Sequence, residues 1–166
     1  MRRTPSGFTL LELLVVITII AILGAAIMAS MGAIQRNTRV NLTKTQFQLL
    51  KSALDRYVGD FDDYPPSEGD ALKGAQSLFA CLTTTKKGGP YIQAGDIPTV
   101  DPTGNGDTAF ADQFKHPIYY LHHRDYHNQV PNKHDFRLIS WGPNGRYEDG
   151  DRNSDDIVNW NKDKPE

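Results

Sequence analysis

Two places in this 166-residue chain carry residues whose types and spacing could do chemistry. The first lies near the C-terminus. Asp149-x-Asp151-x-Asn153-x-Asp155, followed at once by Asp156, sets oxygen side chains at alternate positions, with Asn144 a few residues upstream. A hard cation such as calcium takes about six to eight oxygen ligands, carboxylates mixed with carbonyls. Glycines at 142, 145 and 150 allow the backbone turns that bring carbonyls inward. The plainer alternative is a solvated acidic tail, because residues 148–166 hold seven acids against three bases and such a run is usually hydrated surface. Trp141, Ile157 and Trp160 bracket the acids with apolar anchors that a free tail would not need. The second place is Glu12, a lone carboxylate at the edge of an apolar run from Leu13 to Met31. A charge in hydrocarbon is expensive and calls for a partner.

Other candidates are weaker. All five histidines fall between His116 and His134, with His122 and His123 adjacent. Histidine is the commonest transition-metal ligand, but the spacing matches no zinc motif and no cysteine accompanies it. On a strand, His122 and His123 would point to opposite faces, so they read as surface or interface histidines. Cys81, between Phe79-Ala80 and Leu82, reads as a buried small apolar residue. As the single cysteine it excludes an intramolecular disulfide. No Ser-His-Asp order, nucleophile elbow or phosphate loop is present, so no enzyme is expected. Net charge is −2, and the part beyond the apolar run is −3. That argues against nucleic-acid binding, which usually shows a basic patch.

The elements that must position these residues follow from periodicity. The apolar run has roughly the twenty residues a helix needs to cross about 30 Å of hydrocarbon. Beyond it, Arg36, Val40, Thr43, Phe47, Leu50, Leu54 and Tyr57 step by three or four, a stripe on one helix face. Asn41, Lys44, Gln48, Lys51 and Asp55 take the other face. No proline interrupts residues 8–63, so one long helix is predicted from about Thr9 to Val58. Gly59 to Pro66 should end it. Ser67 with Asp70 three residues on looks like the start of a short helix, with Leu78, Phe79 and Leu82 as its apolar face. Pro98 to Asp112 reads as loop. Ile118–Leu121 and Phe136–Trp141 have strand composition. The whole predicts an α+β fold: a long N-terminal helix, half for the membrane and half amphipathic, on a small antiparallel sheet. The expected division is 1–7, 8–31 and 32–166.

Gly7-Phe8-Thr9-Leu10-Leu11-Glu12, after a short basic leader and before the apolar run, resembles the prepilin cleavage motif of the type IV pilin and type II secretion pseudopilin superfamily. An ordinary secretory signal is cut after its apolar stretch; here the cut would precede it. Tyr64-Pro65, Gly88-Gly89-Pro90-Tyr91-Ile92 and Asp112-Gln113-Phe114-Lys115-His116-Pro117 resemble successive landmarks of the major pseudopilins. In the last, Lys115-His116 stand where that family has Gly-Asn. Ser140-Trp141-Gly142-Pro143-Asn144-Gly145 and the closing Asp156-Ile157-Val158-Asn159-Trp160 resemble their C-terminal loop. Many members carry a proline where Ala29 stands, and 98–112 reads as an insertion.

The resemblance implies a leader of residues 1–7, removed by the prepilin peptidase between Gly7 and Phe8, with methylation of Phe8. It implies a single-pass protein of the bacterial inner membrane with its globular domain in the periplasm. Subunits would stack into a short helical fibre that drives protein export across the outer membrane. Glu12 would pair with the Phe8 amino group of a neighbour. Minor pseudopilins and an inner-membrane assembly platform are the implied partners. The C-terminal loop would bind calcium through members of the set Asn144, Asp149, Asp151, Asn153, Asp155 and Asp156. A type IV pilin of a surface filament, or a minor pseudopilin, remains the alternative.

Overall fold

The computed structural model describes residues 8–93, 95–125, 136–148 and 153–160, without the side chains of residues 26, 29 and 30. Gly7, Asp149, Asp151, His127 and His134 lie outside the described residues, as does the side chain of Ala29. The chain divides into two compact units, Met1–Thr38 and Arg39–Glu166. Helix α1, Leu10–Phe61, belongs to both.

In the first unit the apolar side chains of α1 point outward: Leu10 is 83 % exposed and Ile20 62 %. They have no core to enter. Among the described residues no stretch of helix is long and apolar enough to cross a membrane. The anchor expected over 8–31 rests on the sequence of the apolar run.

In the second unit the predicted stripe is the buried one. Thr43, Phe47, Leu50, Leu54 and Tyr57 are buried, joined by Gln46 and Ala53, with Val40 packed at their edge. Arg36, counted in the stripe from its spacing, is exposed and falls in the first unit. The helix also runs past Gly59 to Phe61. Phe61 stacks on Tyr57 with centroids 4.3 Å apart, and Tyr91 donates its hydroxyl to Asp60 Oδ2 at 2.6 Å. These contacts outweigh the low helix propensity of one glycine. Asp62, at φ +63°, then stops the helix in the left-handed region, which Asp visits more readily than most residues.

Helix α2, Ala71–Leu82, is capped by Asp70 itself, whose Oδ1 accepts from Leu72 N (2.7 Å) and Lys73 N (3.0 Å). Ser67 is not the cap. It is buried, and its Oγ accepts from His122 N at 2.9 Å. Leu78 and Leu82 reach the core as expected. Gly74 lies so close to the neighbouring strand that a Cβ there would meet Tyr120 O at 2.1 Å.

The segment read as loop over 98–112 contains a two-stranded antiparallel hairpin, β1 (Thr99–Val100) and β2 (Ala109–Phe110). Its strands are too short to show a period, and buried Phe110, against the Phe79 ring, holds it to α2. The main sheet has order β3-β4-β5, all antiparallel: β3 (Tyr119–His122), β4 (Phe136–Ser140) and β5 (Ile157–Val158). The strand at Ile157–Val158 goes beyond the loop closure that the sequence suggests. It pairs Ile157 with Ser140 and Val158 with Ile139. Asn159 extends the ladder, its Oδ1 accepting from Leu138 N (2.8 Å) and its Nδ2 donating to Phe136 O (2.9 Å). The acidic loop is therefore a strap between two paired strands.

The turn before β3 is built from one left-handed residue and one buried carboxylate. Lys115 takes φ +70° at the position where glycine was expected by resemblance. Buried Asp112 holds the turn, its Oδ1 accepting from Phe114 N (2.8 Å) and His116 N (2.9 Å) and its Oδ2 from Ser140 Oγ (2.6 Å).

Candidate functional sites

At the start of α1, Thr9 and Glu12 cap each other. Glu12 Oε2 accepts from Thr9 N and Thr9 Oγ1, both at 2.9 Å, and Thr9 Oγ1 accepts from Glu12 N at 3.2 Å. This reciprocal capping box satisfies backbone donors that a helix start leaves open. The Thr-x-x-Glu spacing was there to be read. Glu12 thus has a local partner, and both bonds fall on one of its two oxygens.

The acidic strap is built from its ends inward. Gly142, at φ +61°, sits where a Cβ would lie 2.2 Å from Asp155 O, so only glycine lets the two limbs approach. Asn144 N donates to Asp155 Oδ2 at 3.1 Å. Glu148 N donates to Asp156 Oδ2 at 2.9 Å, and Asp155 N to Glu148 Oε2 at 3.3 Å. The result is three carboxylates, of Glu148, Asp155 and Asp156, each offering an oxygen within 4.8 Å of the others. Asp156 is buried and Asp155 half-buried, while Glu148 is exposed. Carboxylates held together by backbone donors, with a water-facing side, form the donor set a hard cation takes. Trp141 stacks on Tyr119 at 4.5 Å and approaches Tyr147 at 6.5 Å, so one limb is anchored by aromatic packing.

Of the ligands drawn from sequence, the structure brings Asp155 and Asp156 together. Asn144 lies beside them: its Oδ1 accepts from Arg146 N (2.7 Å) and its Nδ2 donates to Glu148 Oε1 (3.2 Å). It orients a carboxylate. Asn153 is exposed in a turn. Glu148, outside the set drawn from sequence, is the third carboxylate of the cluster. Its position as the first acid after Gly145 was the available signal.

The histidines differ from expectation. β3 ends at His122 and a single 3-10 turn, His123–Asp125, begins at the next residue. The two rings therefore lie together, centroids 4.2 Å apart, and not on opposite faces. His122 is buried, not on the surface. Its Nε2 lies 3.1 Å from Asp63 Oδ1, and its Nδ1 accepts from Arg124 N at 3.1 Å. Arg124 Nη2 donates to Asp63 Oδ2 at 2.6 Å. Partial burial pushes the Asp63 carboxyl up, but the His122 and Tyr64 hydrogen bonds and the nearby Arg124 charge outweigh it and hold the group below the usual range. Cys81 is half-buried against the core.

A long helix that begins with a capped glutamate, carries an apolar first unit and then packs on a small antiparallel sheet defines a pilin-like subunit. Residues 2–28 match the family described as the prokaryotic N-terminal methylation motif. The type II secretion system core protein G of Pseudomonas aeruginosa is 30% identical over 161 residues, 96% of this chain and 97% of that protein. Its namesake in Escherichia coli is 30% identical over 165 residues, 96% and 95% of the two chains. The Vibrio cholerae protein is 28% identical, covering 96% and 94%. No solved structure matches the chain. The chain belongs to the type II secretion system core protein G family.

Proposed function

We propose that this chain is the repeating structural subunit of a type II secretion pseudopilus, a helical fibre of copies of itself that drives protein export. The observation that carries this is identity spread over nearly the whole length of relatives named core protein G. In this reading the chain is cut between Gly7 and Phe8 and methylated at Phe8. Its apolar segment holds it in the inner membrane with the second unit in the periplasm. Minor pseudopilins and an assembly platform are its partners, and its role is structural, not catalytic.

Glu12 serves twice in this reading. It caps its own helix through Oε2, and it offers its charge to the Phe8 amino group of a neighbouring subunit. The pair would set register in the fibre, whatever its net energy after desolvation. The acidic strap holds one structural calcium through Asp155, Asp156 and Glu148, with Asp149 and Asp151 completing the shell. Calcium there would join the limbs between β4 and β5 and neutralise crowded carboxylates.

The two roles of Glu12 separate by substitution. Glutamine keeps the capping-box hydrogen bonds but loses the charge; alanine loses both. Both Glu12→Gln and Glu12→Ala should insert into the membrane, since each removes a costly charge. Neither should assemble fibres or secrete. Normal fibres with Glu12→Gln would reduce Glu12 to a helix cap and refute the pairing.

A further inference from the structure

We propose that Asp63, His122 and His123 form a second cation site, separate from the acidic strap and selective for a transition ion such as zinc. The three residues each offer a ligand atom within 4.8 Å of the others. Two imidazoles and one carboxylate suit zinc, cobalt or nickel and suit calcium poorly. In a tetrahedral zinc site with bonds near 2.0–2.1 Å, neighbouring ligand atoms lie about 3.3 Å apart. His122 Nε2 and Asp63 Oδ1 already stand at 3.1 Å. That hydrogen-bonded pair has the spacing of one tetrahedral edge. A ring nitrogen of His123 supplies the third ligand. A cavity of about 270 Å³ opens beside Asp63 and His122, so water can fill the remaining position.

The surroundings support the ligands. Metal-bound carboxylates and histidines are commonly held by outer hydrogen bonds. Arg124 Nη2 donates to Asp63 Oδ2 at 2.6 Å and Tyr64 N to Asp63 Oδ1 at 2.9 Å, which fixes the carboxylate and keeps the second lone pair of Oδ1 for the ion. One contact has to change. To ligate through Nε2, His122 gives up the Nε2 proton to solvent and carries a proton at Nδ1. The bond that Nδ1 accepts from Arg124 N then breaks. The element that must give is the single turn His123–Asp125. The bound ion would tie the segment just beyond α1, at Asp63, to the end of β3.

The test uses the full-length, tag-free protein in detergent, saturated with calcium, and titrated with cobalt(II) as a spectroscopic probe. One equivalent should bind with visible absorption bands of a four-coordinate site, and zinc should displace it. His123 is only half-buried, so His123→Ala should fold, and it should weaken cobalt binding at least tenfold; Asp63→Asn should do the same. Asp155→Ala with Asp156→Ala, which removes carboxylates from the strap, should leave cobalt binding unchanged. Absence of a one-equivalent cobalt complex would overturn the proposal. So would equal affinity in His123→Ala, or loss of binding in the strap variant.

Discussion

Glu148 and Asp156 are joined across the acidic strap by a 2.9 Å hydrogen bond from the Glu148 amide to Asp156 Oδ2. The bond sets the carboxylates side by side, where their like charges repel and a bound cation would relieve them. Calcium should therefore stabilise the protein. Binding to the folded state alone adds about 2.7 kcal/mol at a hundredfold excess over Kd, a rise of several degrees in Tm. Magnesium should substitute poorly, since it demands a tighter octahedral shell. Asp155→Ala with Asp156→Ala should abolish the effect, and Glu148→Gln should weaken it. Thermal melts with calcium and then with a chelator measure this. Superimposable curves for the unsubstituted chain would make the strap hydrated surface.

Processing gives a second expectation. The family match over residues 2–28 and the position of Gly7-Phe8 before the apolar run predict an N-methylated Phe8 in protein extracted from membranes. Mass spectrometry of the N-terminal peptide reads it directly. An intact Met1 in cells with active peptidase would contradict the assigned maturation.

Gly74 gives a third. Helix propensity alone would make Gly74→Ala stabilising by about 1 kcal/mol. A Cβ at 74 would meet Tyr120 O at 2.1 Å and Ser67 Cβ at 2.8 Å, both held in the fold. Overpacking typically costs about 1–3 kcal/mol, so the net change should be destabilising. Denaturant unfolding at neutral pH decides the sign.

The cap of α2 gives a fourth, with a pH dependence. Amide hydrogen bonds from Lys73 and Leu72 hold Asp70 below the usual carboxylate range. A carboxylate lowered on folding contributes stability above its unfolded pKa and loses it as pH falls through the folded value. Asp70→Ala should cost about 1 kcal/mol at pH 7. The gap from the unsubstituted protein should narrow as pH drops below about 4. A cost that stays constant down to pH 2 would mean that the charge plays no part.

What the sequence made legible was periodic or compositional. The stripe from Thr43 to Tyr57 was readable because a helix of four turns repeats its pattern. Asp155 and Asp156 were readable because like charges stood together. What escaped depended on tertiary contact. The hairpin of Val100 and Phe110 has two residues a side and exists because Phe110 finds the Phe79 ring. His122 and His123 share a face because a strand stops between them, and no residue type marks that stop. Asp63, 59 positions before His122, meets it only once the chain has folded back.

The strap between β4 and β5 is closed by oxygen atoms, and the lone Cys81 takes no part in it. The fold consequently owes nothing to thiol oxidation. A reductant should leave it intact, where a pilin pinned by a disulfide would loosen. A strap closed on calcium, as proposed, would answer to the ionic content of the compartment and be blind to the redox potential there.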